Sequence, residues 1–505
     1  MAIILSLSLF LLAIFWILLH NYRRKQPPLP PGPLALPIVG SLPFLDPELH
    51  SYFAGLAQIY GPIFSLRLGS KLGVVITSPS LAKEVLKDND VTFANRDVPA
   101  AARALAYGGS SDIVWNPYGP EWRMLRKVSV REMLCGATLD AVYGLRREEF
   151  RRTVRYLYSC VGSPVNIGEQ MFLAQLNVIT SMMWGGTVGG EDRASLGAEF
   201  RRLVAEATTL LGTPNVSDFI PGLARFDLQG VEKRMKVCAR RFDEMFDALI
   251  DHRRQMDGKG ELKANEEEKR DFLQILLKLK DDADAERPFT IAHVKAILMD
   301  MVVGGTETAS NTVEYAMAEM LNKPEVMRKV QQELDTVIGK DNIVEEFHTL
   351  KLPYLNAVVK ETLRLHAVLP LLVPHCPSQS CTVGGYTIPK GSRVFINVWA
   401  IHRDPSFWPN PSEFDPERFM NNKYDYGGND FTYLPFGSGR RICAGKSMAE
   451  RMMLFSLATL LHTFDWKLPN GENLDLSEKF GIVLKKKTPL LATPLPRLCN
   501  PVLYE

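Results

Sequence analysis

The chain opens on an almost unbroken apolar run, Ala2 to Leu19, and no charged side chain appears before Arg23. As a helix rising ~1.5 Å per residue, that run would span ~27 Å, close to the hydrocarbon thickness of a bilayer. A cleaved signal peptide has a basic start and a shorter apolar stretch, so residues 2–19 read as a transmembrane anchor that stays in place. Arg23, Arg24 and Lys25 follow at once, and the positive-inside rule would hold this flank and everything after it in the cytosol. The segment Pro27-Pro28-Leu29-Pro30-Pro31-Gly32-Pro33 cannot be helical, because proline fixes φ and lacks an amide donor; residues 20–33 read as a basic, proline-rich hinge rather than a ligand for an adaptor domain.

From Leu34 onward the pattern is mainly helical. Period-two alternation over Tyr60–Ser78, broken by Gly69 and Gly73, predicts a β-hairpin, and a second β-like patch covers residues 383–391. Amphipathic or buried helices are expected around Leu145–Tyr158, Val231–Arg254, Val294–Met320 and Pro324–Ile338. The polar stretch Met256–Arg270 predicts a solvated loop, since helical pattern resumes directly after it. No repeat interrupts this, so residues 34–505 read as one body, mainly α with small β-sheets.

Composition then narrows the class. The 505 residues, 46% hydrophobic and 23% charged, suffice for a large core. With 59 basic and 57 acidic residues the net charge is +2, which provides no global field for a polyanion and excludes nucleic acid as an expected partner. Seven cysteines without a CxxC pair argue against a disulfide framework and a zinc ribbon, and place the bulk of the chain in a reducing compartment.

One cysteine stands apart. Phe436-Gly437-Ser438-Gly439-Arg440-Arg441-Ile442-Cys443-Ala444-Gly445 lies between Pro435 and an apolar-periodic run from Lys446 to Phe464, so Cys443 falls where a loop enters a helix. Amide donors and the positive helix end favour a thiolate there, and a thiolate can ligate a metal. Gly439 and Gly445 are expected to let backbone approach a flat cofactor. A cysteine before a helix is by itself more often a small buried apolar residue. The spacing F-x-x-G-x-R-x-C-x-G, however, resembles the haem-binding loop of the cytochrome P-450 family. The resemblance implies haem b with Cys443 as axial ligand, Phe436 beside the sulfur and Arg441 facing a propionate. A thiolate ligand favours O–O cleavage, which implies oxygen activation rather than storage.

Further segments match in family order. Glu361-Thr362-Leu363-Arg364 and Pro416-Glu417-Arg418-Phe419 are similar to the family's E-x-x-R and P-E-R-F, implying a charge network of Glu361, Arg364 and Arg418 that locks the cysteine loop. The helix Ile297–Met320 contains Gly304-Gly305, a pair that costs ~2 kcal/mol against alanine, which suggests that something comes close there. Gly304 and Thr308 share a face at i, i+4, leaving space for a diatomic ligand. Glu307 and Thr308 form an acid–alcohol pair suited to proton delivery; a glycine-kinked helix with a solvated acid is the plainer alternative. The family commonly carries a hydroxyl at the next position, where this chain has Ala309. Trp122 and Arg126 match the family's W-x-x-x-R, and His375 stands where the family has a donor to the second propionate. Arg123, Arg126, Lys127 and Arg131 also give that segment a basic character; such a face is by itself more often merely solvated, while the resemblance implies a surface that receives an acidic flavoprotein reductase.

No flavin or nicotinamide fingerprint is present, so an external reductase drawing on NADPH is implied. The resemblance covers nearly the whole chain and implies one catalytic domain of triangular, mainly helical fold at the endoplasmic reticulum membrane, facing the cytosol. The wording PPGP, GGTET and LPFGSGRRICAG looks like plant microsomal hydroxylases of terpenoids and flavonoids or other phenylpropanoids. Residues 100–118 and 367–373 are apolar and expected over the haem, which implies a small apolar substrate. A haem-thiolate isomerase or dehydratase and a non-enzymatic haem sensor are the competing classes; neither has a use for Glu307 and Thr308.

Overall fold

The computed structural model describes residues 27–185, 190–258, 271–281, 287–421, 423–469 and 474–505. The anchor at residues 2–19 and residues 20–26 of the hinge lie outside them; residues 27–33 are described and form no helix. Among the described residues no helix is long and apolar enough to cross a membrane.

The elements that position the site are helices α1 (Ala100–Leu105), α2 (Pro120–Val128), α3 (Tyr143–Ser159), α4 (Ile167–Trp184), α5 (Val231–Gly258), α6 (Ile291–Asn322), α7 (Pro324–Val337), α8 (Pro353–Leu365) and α9 (Lys446–Thr463). The strands are β1 (Ile63–Leu68), β2 (Lys71–Ile76), β3 (Val165–Asn166), β4 (Cys381–Val383), β5 (Tyr386–Ile388), β6 (Arg393–Ile396), β7 (Phe464–Lys467), β8 (Glu478–Lys479), β9 (Lys485–Lys486) and β10 (Leu491–Pro496). Proline begins α2, α7 and α8, where its missing amide is not needed.

Helix α6 is the axis. Thr290 caps it by accepting the His293 amide, while His293 Nδ1 accepts the Thr290 amide, so two amide donors at the helix start are satisfied reciprocally. Nearly every residue from His293 to Met320 is buried, against α4 on one side and α9 on another. A helix buried on nearly all sides belongs in the centre of a large protein, and polar residues it carries there, such as Lys295, Glu307, Glu314 and Glu319, find partners.

The expected hairpin forms as β1 and β2, antiparallel with Leu68 opposite Lys71 across Gly69. The second patch forms the β4–β5 hairpin around Gly384 and Gly385, both at positive φ. Two features were not anticipated. Strand β6 joins β2 in parallel, and β10 pairs with both β3 and β7. Their short apolar runs carry no period that separates strand from buried helix. Of the loop expected over Met256–Arg270, residues 256–258 instead belong to α5, which runs to Gly258; residues 259–270 lie outside the described residues.

Candidate functional site

Cys443 sits two residues before the N-cap of α9, as expected. Its amide donates to the Phe436 carbonyl (3.0 Å), closing a loop that turns through Gly437 (φ +70°) and Gly439 (φ +68°). The sulfur is accessible, and what it opens into is an interior cavity of about 290 Å³. Burial pushes the thiol up, and the Gly445 amide, Arg126 and Lys446 only partly offset it. The amide donor expected at this helix entrance is thus present at Gly445, and a cation bound at the sulfur would favour the thiolate further.

The two glycines singled out in the sequence differ. A Cβ on Gly439 would lie 2.2 Å from the Leu86 carbonyl, so this glycine answers a neighbouring chain segment, and it does not line the cavity. A Cβ on Gly445 meets nothing within 4 Å, and Gly445 does line the cavity. Only Gly445 fits the cofactor-facing role. Phe436 is also on the wall, edge-on to Tyr426 (ring centroids 5.3 Å apart).

The facing wall is α6. Asp300, Gly304, Thr308 and Thr312, one helical turn apart, all reach the cavity. A Cβ on Gly304 would meet nothing within 4 Å, whereas one on Gly305 would lie 2.7 Å from Ile179 Cδ1. Gly304 therefore leaves space in the cavity that Cys443 also lines, and Gly305 lets α4 close on α6. The Thr308 hydroxyl donates to the Gly304 carbonyl (2.9 Å). Glu307 does not share this face: it is buried away from the cavity in an ion pair with Lys485 on β9, and its Oε2 has no hydrogen-bond partner. Acid and alcohol are sequence neighbours that face different ways, because successive helical residues point ~100° apart.

Basic groups gather at one rim. Arg441 donates from Nε to Ala94 O (2.7 Å) and from Nη1 to Ile113 O (3.1 Å); its guanidinium lies 4.5 Å from the Trp122 ring centroid. Arg126 donates to Ile442 O. His375 Nδ1 donates to Phe93 O (2.9 Å), and burial together with Arg96 and Arg441 pushes its imidazole down to about 3. Trp122 donates its indole N–H to Ile113 O (3.0 Å) and is not on the cavity wall; it serves as a platform for Arg441. Arg96, which sequence reasoning missed, completes the set: it lines the cavity, donates to Val373 O and Pro374 O, and burial beside Arg441 lowers it to about 9. Its partners lie some 277 residues away, so nothing local marks it.

The remaining wall is apolar and includes Ile113, Val114, Val368, Leu369 and Val373. The alanines of residues 100–106, expected over the haem, are instead core: α1 packs on α5, and Ala101, Ala102 and Ala106 are buried. Three guanidiniums without an ion pair among the described residues, one imidazole, a thiol floor and the gap at Gly304 suit a flat dianionic macrocycle whose metal takes sulfur.

Beneath the site the expected charge network is present. Arg364 grips Glu361 bidentately (2.7 and 2.8 Å), both fully buried, and Arg418 Nε stands 3.4 Å from the same carboxylate. The link to the cysteine loop runs through His402, which sequence reasoning missed. Its carbonyl accepts from Arg364 (2.8 Å), and its Nε2 accepts the Leu434 amide (2.8 Å), two residues before Phe436. Tyr433 adds a second tie, donating to Lys360 O (2.9 Å).

A haem-thiolate fold and site of this kind has a family. Residues 30–492 match the cytochrome P-450 family model, and the chain belongs to that family: it is a haem-thiolate monooxygenase. It is 41% identical to flavonoid 3'-monooxygenase CYP75B137 of Crocosmia x crocosmiiflora over 98% of each chain. It is 40% identical to flavonoid 3'-monooxygenase of Petunia hybrida, over 99% of this chain and 98% of that one. Among solved structures, a zebra fish cytochrome P-450 with progesterone is similar at TM-score 0.76 and 28% identity, covering 88% of this chain and 99% of that one.

Proposed function

We propose that the chain hydroxylates an aromatic ring carbon of a flavonoid. One oxygen atom of O2 enters the C–H bond, the other leaves as water, and two electrons come from NADPH through a membrane-bound flavoprotein reductase. The observation that carries this is Cys443 facing Gly304 and Thr308 across an apolar cavity, in a chain whose relatives are flavonoid hydroxylases. Terpenoids are the other class of substrate to be distinguished by assay.

Haem b supplies the oxygen activation when bound. Cys443 would hold its iron, Phe436 would pack beside the sulfur, and Gly445 would leave the backbone flat beneath it. Arg96, Arg126 and Arg441 would take its carboxylates, with Trp122 supporting Arg441, and His375 would join them as imidazolium, the form that a carboxylate at Nε2 favours. Thr308 would hold a proton at Oγ1 on the oxygen-binding side. Glu307 and Lys485 would link that helix to solvent, Lys485 being about one third exposed. Glu361, Arg364 and Arg418 fix the shape of the cysteine loop. Residues 2–19 would anchor the chain in the endoplasmic reticulum membrane, residues 20–33 would form the hinge and residues 34–505 the cytosolic catalytic domain. Arg123, Lys127 and Arg131, all exposed, would offer the reductase a basic face.

The test is a reduced carbon-monoxide difference spectrum followed by product analysis. Thiolate-type absorption should vanish in Cys443→Ala, and a flavanone should be hydroxylated only with NADPH and reductase present. A nitrogen-ligated spectrum would refute the ligand assignment. Turnover of a terpenoid panel with none of the flavonoids would refute the substrate class.

A further inference from the structure

Along α6, Asp300, Gly304 and Thr308 follow one another at i, i+4 and i+8, so the carboxyl stands roughly 12 Å up the helix from the hydroxyl. All three line the same cavity. Asp300 is the only acidic residue on its wall among the described residues, and none of the described basic side chains forms an ion pair with it. Its Oδ2 accepts the Ile113 amide (2.8 Å), which turns the carboxyl toward the loop that closes that end of the cavity. The same cavity is lined by the apolar Ile113, Val114, Met301 and Val373, with Arg96 donating to the Val114 and Val373 carbonyls, a largely apolar setting in which a polar group gains from a partner.

Asp112 stands next to Ile113, its carboxyl accepting the Trp115 (3.1 Å) and Asn116 (2.8 Å) amides. Burial and the proximity of Asp112 both push Asp300 well above the ordinary carboxylate range. A neutral carboxyl offers one O–H donor as well as acceptor capacity, which is what a hydroxyl needs to make two hydrogen bonds at once. A cationic ligand would gain little from it.

We propose that Asp300 is the recognition point for a substrate hydroxyl, phenolic or alcoholic, carried on the end of the molecule remote from the carbon oxidised near Thr308. This rests on the cavity being the substrate chamber of the monooxygenase and names the feature its substrate must carry; it does not depend on the flavonoid class. The competing role is a tether, in which Asp300 merely holds Ile113.

A molecular ruler separates the two. N-alkylimidazoles of four to ten carbons and their ω-hydroxy counterparts bind haem iron through nitrogen whatever the natural substrate, and the full-length haem-loaded protein reports each dissociation constant through its Soret shift. The ratio between paired ligands cancels any general loosening of the loop. In the wild type the hydroxyl should weaken binding at short lengths and strengthen it about 5- to 10-fold at the length that spans the cavity, the effect of one buried hydrogen bond. In Asp300→Ala the length dependence should disappear, and Asp300→Asn should restore part of it. A ratio unchanged in Asp300→Ala, or no length dependence in the wild type, would overturn the proposal. No Soret shift with either series would instead sink the haem assignment beneath it, while the flavonoid assignment is tested only by turnover.

Discussion

Replacing Arg364 by methionine removes five hydrogen bonds from a fully buried side chain. Two go to Glu361 (2.7 and 2.8 Å) and three to the carbonyls of His402, Pro411 and Glu413 (2.8 to 3.0 Å). Stripping the partner from a buried carboxylate costs ~3–5 kcal/mol, and the released carbonyls add to that. A loss of at least ~4 kcal/mol is expected, a large part of the ~5–15 kcal/mol typical of folded proteins. In Glu361→Gln/Arg364→Met the unpartnered carboxylate is gone and only the longer contact from Arg418 (3.4 Å) is lost with it, so the double variant should recover ~2 kcal/mol relative to the sum of the two single variants. Urea unfolding monitored by the Soret band and by near-ultraviolet circular dichroism measures both quantities. A single variant within ~1 kcal/mol of wild type, or additivity to within ~0.5 kcal/mol, would refute the idea that this pair holds the loop.

The two loop glycines should part company. Gly439→Ala forces an L-residue to φ +68° with its Cβ against Leu86 O and should cost ~2–4 kcal/mol, while Gly445→Ala should cost under ~0.5 kcal/mol; thermal unfolding of both variants is the check, and equal losses would contradict the distinction. Thr308→Ala should keep haem and stability but release reduced oxygen as peroxide, which a peroxide assay against NADPH consumption reads directly; unchanged coupling would exclude the relay. His402 is held neutral, pushed down to about 3 by burial, Arg364 and Arg403, against an ordinary value near 6.5. The unfolded chain therefore binds this proton first, and stability should fall as pH drops from ~6.5 toward 3, by up to ~1.4 kcal/mol per pH unit for the one group. His402→Asn should flatten that slope by one proton, and parallel slopes would show that another group titrates.

The positions legible in the sequence are those whose spacing repeats within one loop or one helix turn. Cys443, Phe436, Arg441, Gly304 and the Glu361–Arg364 pair need only local geometry, and they lie where their spacing puts them. Arg96, Asp300, His402 and Lys485 were not legible, because each acquires its role from a partner far along the chain: Val373 for Arg96, Ile113 for Asp300, Leu434 for His402 and Glu307 for Lys485. Hydrophobicity misled at residues 100–106, since an apolar helix is equally suited to a cavity wall and to a core, and only its packing on α5 decides. Helical period also limited the Glu307–Thr308 pair: adjacency in sequence places two side chains on different faces, and the buried Glu307 found Lys485 rather than the cavity.

The parallel pairing of β2 with β6 joins Ile76 to Ile396. During synthesis at ~5–20 residues per second, the edge of β2 waits roughly 15 to 65 seconds for its third strand. Through that interval Val74, Val75 and Ile76, all fully sequestered in the finished molecule, have no permanent neighbour on that side. The nascent chain thus spends a long vulnerable period with a sticky strand uncovered, and its yield in a foreign host should respond to translation speed and to chaperone supply.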